Sequence, residues 1–159
     1  MIVPYIHTPR FDHPRVSVMG RLVAGGVSLG CLTVLCIARL LVPDPAGLAT
    51  HMELGLQPCA FLVRTGIPCP TCGMTTSFCW FAHGNLLASA YIQPMGCILA
   101  VLCAATFWVG LYIAFTGRPV HRLLRRLNPL YSVIVLLVFA AVAWAWKIFI
   151  YTHGLDRWR

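Results

Sequence analysis

The sequence predicts an all-α integral membrane protein, with about three transmembrane helices and a short cysteine-bearing helix that is re-entrant or interfacial. Apolar residues make up 59% of its 159 positions and charged residues only 10%. The mean hydropathy is +0.80. A soluble domain carries about 25% charged residues, so this chain cannot cover an apolar core with a polar surface. Composition therefore excludes a soluble globular enzyme, a disordered chain and a free nucleic-acid-binding protein, and it makes the lipid bilayer the main partner.

The first predicted span covers residues 20–42, which follow a basic tail at 1–19. At about 1.5 Å per residue, a helix of this length crosses the ~30 Å hydrocarbon layer of a bilayer. A basic tail before an apolar run is also typical of a cleaved signal peptide. This run is long for a signal peptide, and the sequence at 46–49 is a poor cleavage site. We therefore expect an uncleaved anchor.

Two further spans are predicted at residues 95–115 and 130–151. Pro94 and Pro129 stand just before these runs, where a proline suits the first turn of a helix because its missing N–H has no partner to lose. Lys147 lies near the end of the third run, and we expect its long side chain to snorkel to the membrane interface. The whole chain then forms a single membrane domain.

The stretch between the first two spans is apolar but does not form a continuous helix. Prolines and glycines interrupt residues 56–83, and the longest uninterrupted piece, 73–83, rises only about 16 Å. Irregular backbone at membrane depth is tolerated only when protein or water shields it. We therefore expect a re-entrant or interfacial helix packed against the three spans, followed by a second short helix at 86–92.

The distribution of charge predicts the orientation. The loop at 116–129 is rich in arginine and lacks acidic residues, and the N-terminal tail at 1–19 is also basic. The positive-inside rule places both segments in the cytoplasm. Residues 43–94 and the tail at 152–159 then lie on the extracytoplasmic side, where disulfides persist.

The basic loop also predicts a lipid contact. Its basic residues alternate with leucines, a pattern typical of a short helix on the cytoplasmic leaflet that attracts anionic lipid. The arginines concerned are Arg122, Arg125 and Arg126. The net charge of +8 is accordingly assigned to membrane topology and not to nucleic-acid binding.

Three cysteines carry the one motif with chemical meaning. Cys59, Cys69 and Cys72 have the spacing C-x9-C-x2-C. Two cysteines separated by two residues can share a metal ion or form a disulfide. Pro70 fixes the turn between the last two, and a helix that begins near Cys72 would favour a thiolate there. We therefore expect Cys69 or Cys72 to be reactive.

A structural zinc site needs a fourth ligand. Cys79 lies seven residues beyond Cys72, which along a continuous helix is about 10 Å and too far to share one ion. His83 lies further along the same helix. His51 could reach the site through a flexible loop, although nothing in the sequence fixes it there. The candidate metal set is therefore the three motif cysteines, with His51 as the fourth ligand and zinc as the metal.

The residues leave three interpretations of the motif open. A disulfide with a spare thiol, or a zinc site, would be structural, and the chain would then be a non-enzymatic component that acts through a membrane protein partner. Alternatively, Cys69 and Cys72 would be the working pair of a membrane thiol–disulfide oxidoreductase, with Cys59 as the resolving thiol. That enzyme would need an electron acceptor such as a quinone.

Part of the chain resembles a known family. The matching residues are Cys59, the segment 65–75 with the sequence Thr-Gly-Ile-Pro-Cys-Pro-Thr-Cys-Gly-Met-Thr, Gly84, Ala88 and Gln93-Pro94. These residues are similar to a family of small bacterial membrane proteins known as domain of unknown function 2752. Members carry an arginine where this chain has Thr76 and an asparagine where it has Gln93. The resemblance implies a protein of the bacterial inner membrane and supplies no activity.

Overall fold

Six α-helices and one 3₁₀ helix make up the regular structure that a computed structural model describes over residues 16–120 and 129–157. Helices α1, α5 and α6 are long, and the others are short. The α-helices are α1 (Val18–Leu40), α2 (Ala60–Thr65), α3 (Met74–Ala82), α4 (Leu86–Ile92), α5 (Pro94–Thr116) and α6 (Pro129–Thr152), and the 3₁₀ helix is Thr50–Leu54. The described residues contain no strand, which confirms the all-α prediction.

Three helices are long and apolar enough to cross a membrane, as predicted. Helix α1 begins earlier than the apolar run suggests, because the hydroxyl of Ser17 accepts a hydrogen bond from the N–H of Gly20 and caps the first turn. Pro94 occupies the first turn of α5. The predicted lipid-binding residues Arg122, Arg125 and Arg126 lie outside the described residues.

Helices α1 and α5 pack against each other as an antiparallel pair. At Gly110 of α5, a Cβ atom would lie 2.8 Å from the carbonyl oxygen of Ala24 in α1. The hydroxyl of Ser28 donates to the carbonyl of Phe107 at 2.8 Å. Near the start of α1, the guanidinium of Arg21 donates to carbonyl groups in the last turn of α5. Small residues thus let the two backbones approach closely, as in other membrane helix pairs.

The short helix α3 packs on α1, α4 and α5, close to the sequence prediction. Ser77 of α3 faces Gly96 of α5, where a Cβ atom would lie 2.9 Å from the serine side chain. The buried hydroxyl of Ser77 bonds to Ser89 and to the carbonyl of Gln93. Helix α4 begins and ends where the sequence predicts.

Helix α6 contacts the rest of the protein through its C-terminal half. Residues 130–138 are exposed, whereas Lys147 and Ile150 are fully buried. The indole N–H of Trp144 donates to the carbonyl of Pro68 at 2.9 Å, and that of Trp146 donates to the carbonyl of Tyr91 at 2.8 Å. One end of the third span is therefore fixed to the segment that carries the cysteines.

Candidate metal centre

The three motif cysteines lie at the ends of two short helices. Cys59 is the residue before α2, and Cys69 and Cys72 lie in the turn between α2 and α3. The N–H of Cys72 donates to the carbonyl of Cys69 at 3.0 Å, and Pro70 holds the φ angle that this turn requires. Gly73 follows with a φ of 83°, a conformation that favours glycine, and leads into α3.

The sulfur atoms of Cys59, Cys69 and Cys72 all lie within 4.8 Å of one another. The Cys69 and Cys72 sulfurs are 3.2 Å apart, within hydrogen-bonding distance. Around one tetrahedral zinc ion, with Zn–S bonds of about 2.3 Å, sulfurs are separated by about 3.8 Å. The cluster is thus close to the geometry of a shared metal ion.

The two thiols of the C-x2-C pair differ in acidity. Partial burial opposes ionisation of Cys69, but hydrogen bonds from Thr71 and the neighbouring thiols stabilise its thiolate and lower its pKa to about 7. Burial and the adjacent Cys69 raise the pKa of Cys72 to about 12. The sequence favoured a thiolate at Cys72, whereas in the structure the metal-free thiol with the lower pKa is that of Cys69.

A cavity of about 270 Å³ opens beside the sulfurs, and His51 lines it together with all three cysteines and the first turn of α3. His51 lies on the 3₁₀ helix. The neighbouring Thr50 is buried, and its hydroxyl is 2.9 Å from that of Thr76 on α3. Thr76 therefore connects α3 to the 3₁₀ helix that carries His51. The imidazole itself is not within the 4.8 Å group of ligand atoms.

Cys79 of α3 and His83, which follows the last residue of that helix, do not join the cluster. Cys79 is fully buried, and burial, with a smaller effect of the Glu53 charge, raises its pKa to about 11. The Nδ1 atom of His83 lies 2.8 Å from the carbonyl oxygen of Cys79 within the same helix. Among the residues that the structure describes, these two side chains serve packing and helix termination.

Two buried side chains that the sequence analysis did not assign to the site donate hydrogen bonds to the backbone around the cysteines. The amide of Gln93 is buried, and its Nε2 donates to the carbonyl of Pro70 at 2.8 Å. Lys147 has no exposed surface, and its Nζ donates to the carbonyl of Gly47 at 3.2 Å. The expectation that Lys147 snorkels is wrong, because the segment before α3 covers this end of α6. An ionisable residue in an apolar span was the signal that could have found it.

The part of the chain that contains the three cysteines is similar to a recognised family. Residues 59–107 match the family model described as protein of unknown function (DUF2752). The match confirms the resemblance seen in the sequence, and it begins at the first cysteine of the cluster. No curated protein and no solved structure matches the chain. The family description assigns no activity, so function has to be argued from the site.

Proposed function

We propose that the three cysteines bind a zinc ion, and that this ion fixes the cysteine-bearing segment onto the ends of the three spans. The observation that carries the proposal is the convergence of three sulfurs within 4.8 Å. A disulfide needs only two of them and gives no reason for the third. Thiolates are preferred zinc ligands, and a zinc site with three protein sulfurs is completed by a fourth donor.

His51 is the candidate for that fourth donor, because it lines the same cavity as the sulfurs. Because its imidazole lies outside the 4.8 Å group of sulfurs, the 3₁₀ helix would have to move for His51 to bind the metal. The metal would then join three pieces of chain, namely the 3₁₀ helix, the residue before α2 and the turn before α3. A segment made of short helices and turns gains stability from such a crosslink.

The same proposal places the protein in the bacterial cytoplasmic membrane, with the cysteine segment on the extracytoplasmic side. The basic loop at 116–129 and the basic tail at 1–19 support this orientation. Near the cysteine-bearing region, Trp144 of α6 bonds to Pro68 and Gly96 of α5 packs against Ser77. Ile37, near the end of α1, lines a groove together with Met74 of α3. We further propose that a membrane protein partner is recognised at this end.

Metal content tests the proposal directly. Detergent-purified protein should contain one zinc per chain by elemental analysis, and its native mass should be higher by one zinc. Replacing Cys59, Cys69 or Cys72 by serine should weaken zinc binding at least about 100-fold, since a ligand is lost. Cys36→Ser is the matched control, because Cys36 is exposed on α1 away from the cluster. A metal-free protein whose mass is lower by two hydrogens would contradict the proposal and indicate a disulfide.

A thiol–disulfide oxidoreductase is the second candidate function, favoured by the 3.2 Å separation of the Cys69 and Cys72 sulfurs. In that reaction the two thiols form one disulfide and release two protons and two electrons to an acceptor of the quinone class. Cys59 would resolve a mixed disulfide. Anaerobic redox titration with a soluble quinone distinguishes the two functions, because a zinc-bound cluster should resist oxidation until the metal is chelated.

A further inference from the structure

Lys147 occupies a space that two glycines leave open beside the cysteine cluster. It is the single lysine of the chain, and it lies 100 positions from Gly47, whose carbonyl accepts its hydrogen bond. A Cβ atom at Gly47 or at Gly73 would lie 3.2 Å from Nζ in either case. Gly73 directly follows Cys72, so the ammonium group is adjacent to the cluster and shielded from solvent.

A buried ammonium group is costly unless anionic groups compensate it. The one carbonyl satisfies one of its three N–H donors. Asp156, Cys72 and Asp44 lie within electrostatic range. The carboxylate of Asp44, however, already accepts three backbone N–H groups of its own loop. Asp156 is the first of these charges, but among the described residues the ammonium group forms no ion pair with a carboxylate, and its one hydrogen bond is to the carbonyl of Gly47. The position next to Gly73 and Cys72 therefore leaves room for a further negative charge at the cluster.

We propose that Lys147 is a positioning residue that supplies the counter-charge of the metal centre. Three thiolates carry one negative charge more than a divalent ion neutralises, and a neutral imidazole as fourth ligand leaves that charge unchanged. The ammonium of Lys147 balances it from the side of α6. This inference rests on the proposed zinc site. It adds that a residue of the third span, α6, contributes to the zinc affinity of a site formed by the segment between α1 and α5.

Zinc affinity in the full-length protein tests this role. We would measure it in detergent by competition with a chromophoric chelator, for the wild type, Lys147→Met and Lys147→Arg. Lys147→Met should weaken zinc binding by about 10- to 100-fold, the range typical of groups that support metal ligands. Lys147→Arg keeps the charge and should recover part of the loss. Thr152→Val is the control, since it removes neutral hydrogen bonds that an exposed hydroxyl makes within the same helix and should not change affinity.

Two further measurements separate a charge effect from simple packing. The sulfur-to-cobalt charge-transfer band of the Co²⁺-substituted protein should shift in Lys147→Met and not in Thr152→Val. In excess chelator, Lys147→Met should be at least as stable as the wild type, because an uncompensated buried charge has been removed. A packing role predicts the opposite, namely a metal-free variant that unfolds at lower temperature.

The outcomes distinguish failure of this inference from failure of the zinc proposal. If the wild type binds no zinc, both are overturned. If the wild type binds zinc and Lys147→Met binds it equally well, only the counter-charge role is overturned. The same holds if Lys147→Arg is as weak as Lys147→Met. Should Lys147→Met fail to fold, Lys147→Gln takes its place, because glutamine retains a donor for the Gly47 carbonyl without the charge.

Discussion

The contact between α1 and α5 and the cysteine end of the protein are held together in different ways. By the cysteine end we mean residues 43–93 with the C-terminal half of α6. The α1–α5 contact depends on small residues and on close backbone approach, as at Gly110. The cysteine end depends on polar side chains whose hydrogen bonds reach distant parts of the chain, such as those from half-buried Trp144 to Pro68 and from buried Gln93 to Pro70.

The difference shows that the cysteine end specifies one structure, whereas the α1–α5 contact requires only that two helices pack closely. Many small-residue sequences allow two spans to pack closely. A buried polar group is costly without its partner, so each such pair fixes one arrangement. The cysteine end contains several of these pairs, including Thr50 with Thr76 and Ser77 with Ser89. A site that must hold three sulfurs within reach of one ion requires that level of definition.

Gly73→Ala should produce the largest effect and should affect both stability and metal binding. Its φ of 83° is strained for alanine, and the new Cβ would lie 2.7 Å from the carbonyl oxygen of Gly47. Strain and overpacking together predict a loss of about 3 kcal/mol, measured by thermal unfolding in detergent, with weaker zinc binding. Gly66→Ala is the control, since its φ is also positive but no atom lies within 4 Å. Equal losses in the two variants would contradict the close approach to Gly47.

Gly110→Ala should destabilise the protein by about 1–3 kcal/mol without changing zinc affinity. The added Cβ would push against the Ala24 carbonyl of α1, and this overpacking is confined to the span pair. Gly26→Ala is the matched control on α1, where nothing lies within 4 Å, and it should be neutral or slightly stabilising. If Gly110→Ala also weakened zinc binding, the two regions would be coupled, contrary to the comparison above.

The smallest effect is expected from Asp44, which organises the loop after α1. Burial raises its pKa, but hydrogen bonds from three backbone N–H groups and the charge of Lys147 outweigh burial and lower the pKa below its ordinary value. A depressed folded-state pKa means that the stabilisation is present above about pH 4 and is lost as pH falls through the folded value. The loss should be less than about 1 kcal/mol, because the carboxyl group is only partly buried.

Asp44→Asn tests that assignment, because an amide resembles the protonated acid. The variant should unfold at a lower temperature at pH 6, while its stability should vary less than that of the wild type between pH 5 and pH 3. A wild type and a variant with parallel pH profiles would show that another group titrates in this range. Zinc has to be removed with a chelator first, since acid also releases it.

Much of the fold could be predicted from the sequence because it depends on local properties. The length and apolarity of the three runs predicted helices that can span a membrane, and they are present at Val18–Leu40, Pro94–Thr116 and Leu130–Thr152. Prolines and glycines predicted the break in the middle. The 3₁₀ helix and α2 were not predicted, because short elements carry too little periodicity to be recognised.

The cluster itself was only partly predictable. Spacing paired Cys69 with Cys72, but Cys59 stands ten positions earlier, and its approach depends on how α2 folds back. The relation of His51 to the cavity depends on a hydrogen bond between Thr50 and Thr76, which lie 26 positions apart. No local pattern encodes a contact of that kind.

The sequence by itself determined the class of the protein, the number of helices that can span a membrane and the identity of the three cysteines, because hydropathy and spacing are properties of neighbouring residues. Only the tertiary structure decided that the sulfurs meet, that His51 shares their cavity and that Lys147 is buried beside them. Those facts depend on which surfaces pack together. For Lys147 the decisive partners are Gly47 and Gly73, which are 100 and 74 positions away. The space that these glycines leave in the folded protein, and not the local hydropathy of α6, determines where the ammonium group lies.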